Sequence, residues 1–392
     1  MQDGVNGDYV TRVFDDMQAI APEVWDALLA RQGQPTPFMR HAYLQAMTAS
    51  GSAVPDTGWG LRLFTLWQGG DLAAACPVWL KSHSRGEYVF DWAWAEAYER
   101  HGLTYYPKAI VASPFTPVPG TRLLARTPGE RAALLQALTG WCQAQGLPSL
   151  HILFGDQSDQ TACRQAGLML RQQVQFHWQN AGWRDFEDFL ASLNQDKRKK
   201  IRQERRKVRE AGVVFRAVSG SAARDSDWAF VQQCYQQTYW EHGNLPYLQP
   251  GFFEAMRRDM PDHWVIFVAE RAGQPLAMSL IGLQRDADGS ACVAYGRYWG
   301  ALQRVDCLHF EACYYQPIEW CIANGVQRFE GGAQGEHKMA RALLPTPTAS
   351  AHWIAHPGFA EAIGRFLDRE RDGVRDYLEV LAQHSPLRQP QT

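Results

Sequence analysis

At 392 residues, with 46% hydrophobic, 12% aromatic and 20% charged residues, the chain is too long for one ordinary core and too apolar for disorder. Lys plus Arg number 39 against 41 Asp plus Glu, a formal net charge of −2, which excludes an overall basic nucleic-acid surface and an acidic solvating tail. The eight cysteines form no CxxC pair, and the longest apolar runs, such as residues 264–269, fall far short of the roughly 20 residues a membrane helix needs. Residues 1–10 hold no Lys or Arg and lead into no hydrophobic block, so no secretory leader is expected. The expectation is a reduced, cytoplasmic protein with two domains and no transmembrane segment.

In chain order, residues 61–67 and 72–80 read as strands joined by the turn Gln68-Gly69-Gly70-Asp71. Extended segments follow at 105–112 and, around Trp92 and Trp94, on what reads as one face of a strand. A helix over 129–145 ends at Gly146, and 149–154 is a buried strand. Near 180–185 the halves meet. A single amphipathic helix is then expected over 186–211, its continuation strongly basic between Lys197 and Arg209, with Ile201 and Val208 as a narrow apolar seam. The second half repeats the earlier grammar. Strands at 264–270 and 275–283 flank a tight turn, a third covers 291–299, a helix runs over 306–323, and 326–330 is the next strand. Pro317 should kink that helix, because it removes a backbone donor. A last amphipathic helix spans 359–382, followed by a loose tail at 385–392. The expected division is 1–182 and 183–384.

Several runs in this frame carry a family resemblance. They lie at 81–94, beginning Lys81-Ser82-His83-Ser84-Arg85-Gly86-Glu87, and at Glu99-Arg100-His101-Gly102 and Ser113-Pro114-Phe115-Thr116-Pro117-Val118. Others are Tyr295-Gly296-Arg297-Tyr298-Trp299-Gly300, residues 308–316, and Phe329-Glu330-Gly331-Gly332-Ala333-Gln334-Gly335-Glu336-His337-Lys338. Together they resemble the FemAB-like peptidoglycan biosynthesis/recognition proteins, a branch of the GNAT acyltransferase superfamily, over about residues 37–381. The resemblance implies an α/β protein of two tandem GNAT-like folds, each a mixed sheet in which two parallel strands splay apart around an acyl ester or thioester. The splayed pair would be 291–299 with 326–330, with 105–112 and 149–154 as first-half counterparts. It further implies an acyl- or aminoacyltransferase that forms an amide on an amine, the acceptor being a peptidoglycan precursor or a related peptide. The acyl donor, aminoacyl-tRNA or acyl-CoA, would be a co-substrate, with no tightly bound cofactor. Acetyl-CoA enzymes of the superfamily carry a glycine-rich loop between strand and helix. Residues 299–307 hold one glycine, and Asp306 at the expected N-cap would repel a phosphate, which favours aminoacyl-tRNA. The open alternatives are an acetyl-CoA-dependent N-acetyltransferase and a non-catalytic murein-precursor or lipid recognition protein.

Amide formation calls for a proton acceptor near the amine and donors for the developing oxyanion. Glu330, Glu336 and His337 leave the end of a core strand through glycines and are the expected catalytic group; an exposed polar loop is the plain alternative. Arg297 and Tyr295, on an aromatic strand, together with Lys338 and His309, are the expected substrate-binding residues. Arg297 could equally be paired with a core acid, and His309 could be a buried structural histidine. In the first half, Asp91 and Glu99 are candidates for a substrate cleft, whereas Trp92 and Trp94 read as core. No metal-ligand spacing is present, and neither are the dinucleotide, NTPase and esterase motifs. The basic run 197–209 would meet tRNA phosphates or anionic lipid, the latter placing the protein at the inner membrane surface, unless it is an ordinary solvated face.

Overall fold

The computed structural model describes residues 4–6, 9–332 and 335–388, so Ala333 and Gln334 of the glycine motif and 389–392 of the expected tail lie outside the described residues. Its strands are β1 (Gly4–Asn6), β2 (Tyr9–Phe14), β3 (Trp59–Gln68), β4 (Asp71–Lys81), β5 (Lys108–Val111), β6 (Leu124–Ala125) and β7 (Ser149–Ile152). They continue with β8 (Met169–Gln179), β9 (Val213–Ser219), β10 (Trp264–Arg271), β11 (Gln274–Arg285), β12 (Ala291–Ala301), β13 (Arg328–Glu330) and β14 (Leu344–Ile354). By contact the chain forms two compact units, neither continuous in sequence: Met1–Gln173 with Pro347–Asp376, and Val174–Thr346 with Tyr377–Thr392. Each unit holds a mixed sheet with one parallel strand pair, β5 with β7 in the first and β12 with β13 in the second, the arrangement the resemblance implies.

In the first unit the strand order is β1-β2-β3-β4-β5-β7-β14, with β6 beside β4. The β3–β4 hairpin closes on Gly69 and Gly70, both at positive φ, the conformation that lets a short turn follow the strand twist. β5 and β7 run parallel, from Ala109 opposite Leu150 to Val111 opposite Ile152. The helix Pro128–Ala144 is capped by Thr127, which accepts from the Glu130 amide, and it ends before Gly146 at φ 65°. It buries Leu134, Leu135, Leu138 and Cys142 against the sheet. Trp92 and Trp94 do not share a strand face. They open the helix Trp92–Arg100, where residues two apart point to different sides, so Trp94 is buried and Trp92 is 50% exposed.

The second unit is ordered β8-β13-β12-β11-β10-β9. The expected single helix over 186–211 breaks into Phe186–Ala191 and Gln195–Glu210. The break is held by residues of the expected tail: the Asn194 amide donates to Pro386 O at 2.9 Å and the Arg388 amide to Ser192 O at 2.9 Å, so 385–388 are tied down rather than loose. The expected helix over 306–323 begins at Leu308, after Cys307 at φ 65°, which leaves Asp306 exposed before the helix instead of capping it. Its kink takes the form of a π turn, Glu311–Tyr315, between Leu308–Phe310 and Gln316–Ala323. The wider turn accommodates Pro317, which has no N–H for the Cys313 carbonyl.

The helix Asp225–Glu241 lies so close to β12 that a Cβ on Gly300 would sit 2.1 Å from the Cys234 carbonyl oxygen. Gly300→Ala must therefore move backbone, and we expect it to cost about 1–3 kcal/mol, read as a lower midpoint in thermal or urea unfolding.

Candidate functional site

β12 and β13 pair for three residues only: Val293 with Arg328, Ala294 with Phe329 and Tyr295 with Glu330. Beyond Glu330 the chain turns away through Gly331 and Gly332, the latter at φ 87°, while β12 runs on to Ala301 held by β11 alone. The two strands therefore part at Gly296, beside which the Glu330 carbonyl lies. On its other side β12 bulges at the same place. Gly296 faces Ile281 and Tyr298 faces Leu280, leaving Arg297 as the extra residue. Arg297 is half-buried, and its guanidinium lies 5.1 Å from the Tyr298 ring centre. Tyr295 is buried and donates to Gln284 Oε1 at 2.8 Å, so it serves packing below the gap.

The chain returns to this gap as a short helix, Glu336–Arg341, which carries Lys338 inward. Lys338 is 3% exposed, and its Nζ donates to Gly332 O at 2.8 Å. A Cβ on Gly332 would lie 3.8 Å from that Nζ and 3.9 Å from Gly296 O, which sets the ammonium at the vertex between the parting strands. Among the described residues it forms no ion pair with a carboxylate. Burial lowers its pKa to about 8, with the Cys313 thiol opposing slightly.

His337 is exposed, and its Nε2 lies 3.3 Å from the Tyr314 hydroxyl. Desolvation, then Arg341 and Lys338, push its pKa below the ordinary value, so the ring is neutral at pH 7. Gly335, at φ 116°, allows this placement, since a Cβ there would fall 2.3 Å from the His337 ring. His309 joins the same group across Tyr314, with ring centres 5.8 Å apart, and it stands edge-on to Trp299 at 5.4 Å. Desolvation and the neighbouring His337, Arg341 and Lys338 lower its pKa as well. Trp299, Ala301, Leu302, Arg304, Leu308 and His309 line a cavity of about 340 Å³ at the far end of β12.

The other expected residues are placed differently. Glu330 is buried, with Arg328 Nε 3.0 Å from Oε1 and His177 Nε2 3.7 Å from Oε2. Burial lowers His177 to about 3, so that contact joins a carboxylate to a neutral ring. Glu336 is exposed and accepts from the Tyr377 hydroxyl at 2.6 Å. In the first unit Asp91 is buried, accepting from Lys108 and from Tyr105 at 2.5 Å, whereas Glu99 is exposed on its helix. The second unit thus gathers Lys338, His337 and His309 with Gly296 and the Arg297 bulge, whereas Asp91 and Glu99 belong to the first unit.

Sequence reasoning missed the supports of this group. Arg341 is buried, donates to His337 O at 2.7 Å, lies 3.6 Å from the Phe310 ring centre, and meets Glu204 of the basic helix at 3.2 Å. Glu204 also accepts from Tyr315. Its neighbour Arg205 pairs with Glu311, the first residue of the π turn, and with Glu319 in the helix after it. The basic helix is therefore two-faced, with Ile201, Glu204 and Val208 buried and Lys199, Lys200, Lys207 and Arg209 exposed. The positive charge of this helix and its apolar seam at Ile201 and Val208 were visible in the chain, but the ion pairs of Glu204 and Arg205 were not. Partners a hundred or more residues away leave no local signal.

A FemAB-like family model, described as peptidoglycan biosynthesis/recognition, matches residues 16–389. In structure the chain is similar to FemX, with TM-score 0.54 and 10% identity over 88% of this chain and 98% of that one. It is also similar to L-PGS from Bacillus licheniformis, with TM-score 0.52 and 11% identity over 88% and 97%. A third similar structure is the C-terminal domain of a putative lysylphosphatidylglycerol synthetase from Agrobacterium fabrum, with TM-score 0.52 and 10% identity over 88% and 95%. A sequence comparison with curated proteins finds no match. Among the described residues no helix is long and apolar enough to cross a membrane, and no group of His, Cys, Asp or Glu is arranged to hold a metal ion.

The lowered pKa of Lys338 predicts a stability cost. Between about 8 and its unfolded value near 10.5 the unfolded chain binds the extra proton, so stability rises with pH across that window and the cost is full below it. Lys338→Met should therefore unfold at a higher temperature than the parent at pH 7, by about 1–2 kcal/mol, with the gap closing towards pH 10.

Proposed function

We propose an acyl- or aminoacyltransferase for this chain, which belongs to the FemAB-like family. The observation that carries the reading is the buried Lys338 ammonium at the point where β12 and β13 part. A carbonyl lodged in that gap would meet a cation pre-oriented in a low-dielectric surround, the arrangement that best stabilises an oxyanion. Family membership and the GNAT-like fold support acyl transfer. The lysylphosphatidylglycerol synthetase resemblance favours an activated amino acid as the group transferred, and the family's peptidoglycan description favours a cell-wall precursor peptide as the acceptor.

In this reading the acceptor amine attacks the ester carbonyl of an aminoacyl-tRNA. As the C–N bond forms, negative charge gathers on the carbonyl oxygen beside Lys338. His337, neutral at pH 7, takes the proton released by the amine and returns it to the ribose oxygen as the C–O bond breaks. Tyr314 fixes the His337 ring, and Arg341 fixes its backbone. Glu330 acts from beneath, through Arg328, and Glu336 stands at the rim with Tyr377. The cavity by Trp299, Arg304 and His309 accommodates the end of the donor, with Arg297 at its approach. The exposed face of the basic helix supplies charge for the tRNA phosphates. The single glycine of the loop before Leu308 weighs against a pyrophosphate cradle for acetyl-CoA, although Asp306 no longer adds to that argument.

The test is label transfer from a mixture of charged tRNAs to UDP-N-acetylmuramoyl-pentapeptide, run beside radiolabelled acetyl-CoA. Transfer from tRNA is expected, with Lys338→Met lowering kcat about 100-fold and His337→Ala about 10- to 100-fold. Transfer from acetyl-CoA alone would replace the donor. Binding of the precursor without any transfer would favour a recognition protein.

A further inference from the structure

The first-unit motif at 81–91 builds a dense buried charge cluster of its own. Lys81 and Lys108 are direct partners across the β4–β5 pairing, and both are fully buried. Like charges set opposite each other in a sheet repel, and burial removes the solvent that would screen them. Both counter-charges, Glu87 and Asp91, come from the segment between β4 and the helix Trp92–Arg100. The sheet supplies the cations and the irregular segment supplies the anions.

The two lysines are served unequally. Lys108 donates to Ser84 Oγ at 2.8 Å, to Glu87 Oε2 at 2.7 Å and to Asp91, which uses all three of its protons. Lys81 has Arg85 O at 3.2 Å and the face of Trp59 at 3.8 Å. The second oxygens of both acids, Glu87 Oε1 and Asp91 Oδ1, are buried without a hydrogen-bond partner among the described residues. Buried ion pairs can usually be replaced by apolar side chains at no loss of stability, so such an incomplete cluster calls for another explanation. The covering segment is also strained, since Tyr88 sits at φ 63°. Its outer side carries Phe90, 47% exposed, next to Trp92 at the start of the following helix, 50% exposed.

We propose that Lys81 and Lys108, with Tyr106 beside them, form a binding site for an oxyacid group, phosphoryl or carboxylate, whose place the Glu87 and Asp91 carboxylates take in this structure. The rigid strands hold the cationic floor, and the segment 82–91 is displaced when a stronger anion enters. Tyr106, whose hydroxyl lies 2.8 Å from that of Ser84, supplies a neutral donor once Ser84 leaves with the segment. The site is independent of the transfer chemistry at Lys338 and stands whatever the second unit does.

Acid should favour the exchange. Burial and the nearby Lys108 lower Lys81 to about 7, against Glu87 and Asp91, while burial raises Glu87 to about 7 against Lys108. Falling pH thus adds positive charge to the floor and neutralises the rival carboxylate. The other charged or titratable groups around the pair and its acids are Arg85 and His83 on the segment, Tyr105 and Tyr106 before β5, His151 on β7, Arg171 on β8, which donates to Phe90 O, and His352 on β14; the lowered pKa values of His151 and His352 keep both rings neutral throughout.

Calorimetry of the full chain with sulfate, a dianion at all pH values used, and separately with glutarate, tests the proposal. Wild type should bind one or both more tightly at pH 6 than at pH 8, and Glu87→Gln should bind about tenfold more tightly than wild type at pH 8. Adding Lys81→Met to Glu87→Gln should abolish binding, and hydrogen exchange over 82–91 should speed up in the ligand. Preference for sulfate assigns a phosphoryl group, and preference for glutarate a carboxylate. If Glu87→Gln does not fold, the wild-type pH dependence decides alone. Absence of binding by wild type at pH 6 and about 10 mM, binding that weakens with acid, or binding that survives Lys81→Met overturns the site.

Discussion

Backbone pairing between β12 and β13 stops after Tyr295 and Glu330, and the organisation of the second unit follows from that interruption. Two strands that part expose backbone groups that a sheet would otherwise consume, and something polar must meet them. Here the Gly332 carbonyl is met by the Lys338 ammonium. The glycines at 296, 331 and 332 keep the vertex narrow: at Gly331 a Cβ would strike the Leu343 side chain at 2.5 Å. The bulge at Arg297 turns the free length of β12 away from its former partner, and the π turn shapes the helix that packs beneath. Each device is local, and together they hold a cation where a carbonyl can reach it.

The molecule treats its buried cations in distinct ways, and the differences separate support from chemistry. Arg341 is matched by Glu204, a backbone carbonyl and an aromatic face, which suits a residue that fixes its neighbours. Lys108 has a full set of three acceptors. Among the described residues Lys338 and Lys81 each have a single carbonyl and no carboxylate within ion-pair reach, and both are lowered towards neutral pH. Under-served ammonium groups of this kind cost stability, and such costs concentrate where ligands bind or react.

Much of the frame was legible in the chain because it depends on local chemistry. The two hairpins follow from Gly69-Gly70 and Ala272-Gly273 between alternating strands, and the end of the helix Pro128–Ala144 from Gly146. The parting of the strands could be placed from the resemblance and from Gly331-Gly332. What misled was remote. Nothing near Asn194 foretells that Pro386 will take its amide, so one helix was expected where there are two. Cys307 adopts a left-handed conformation that few residues of its kind use, which moved the helix start past Asp306. The tryptophans at 92 and 94 fit alternation as well as they fit a helix, and only the packing of Trp94 with Tyr98 and Tyr105 decides between them. Within the candidate group, Lys338, His337 and His309 were visible as residue types, but His177, Arg341 and Glu204 were not, since their roles exist only in three dimensions.

The first unit takes β14 residues 347–354 and the helix that follows from chain made after nearly all of the second unit. Ala351 to Ile354 pair there with Ile152 to Ser149, covering the edge of β7. During synthesis that edge stays open until some two hundred further residues have left the ribosome, so the amino-terminal half emerges with a bare, apolar sheet margin. A fragment cut near residue 182 would keep that margin permanently, and self-association through it, rather than independent folding, is the fate its architecture prescribes.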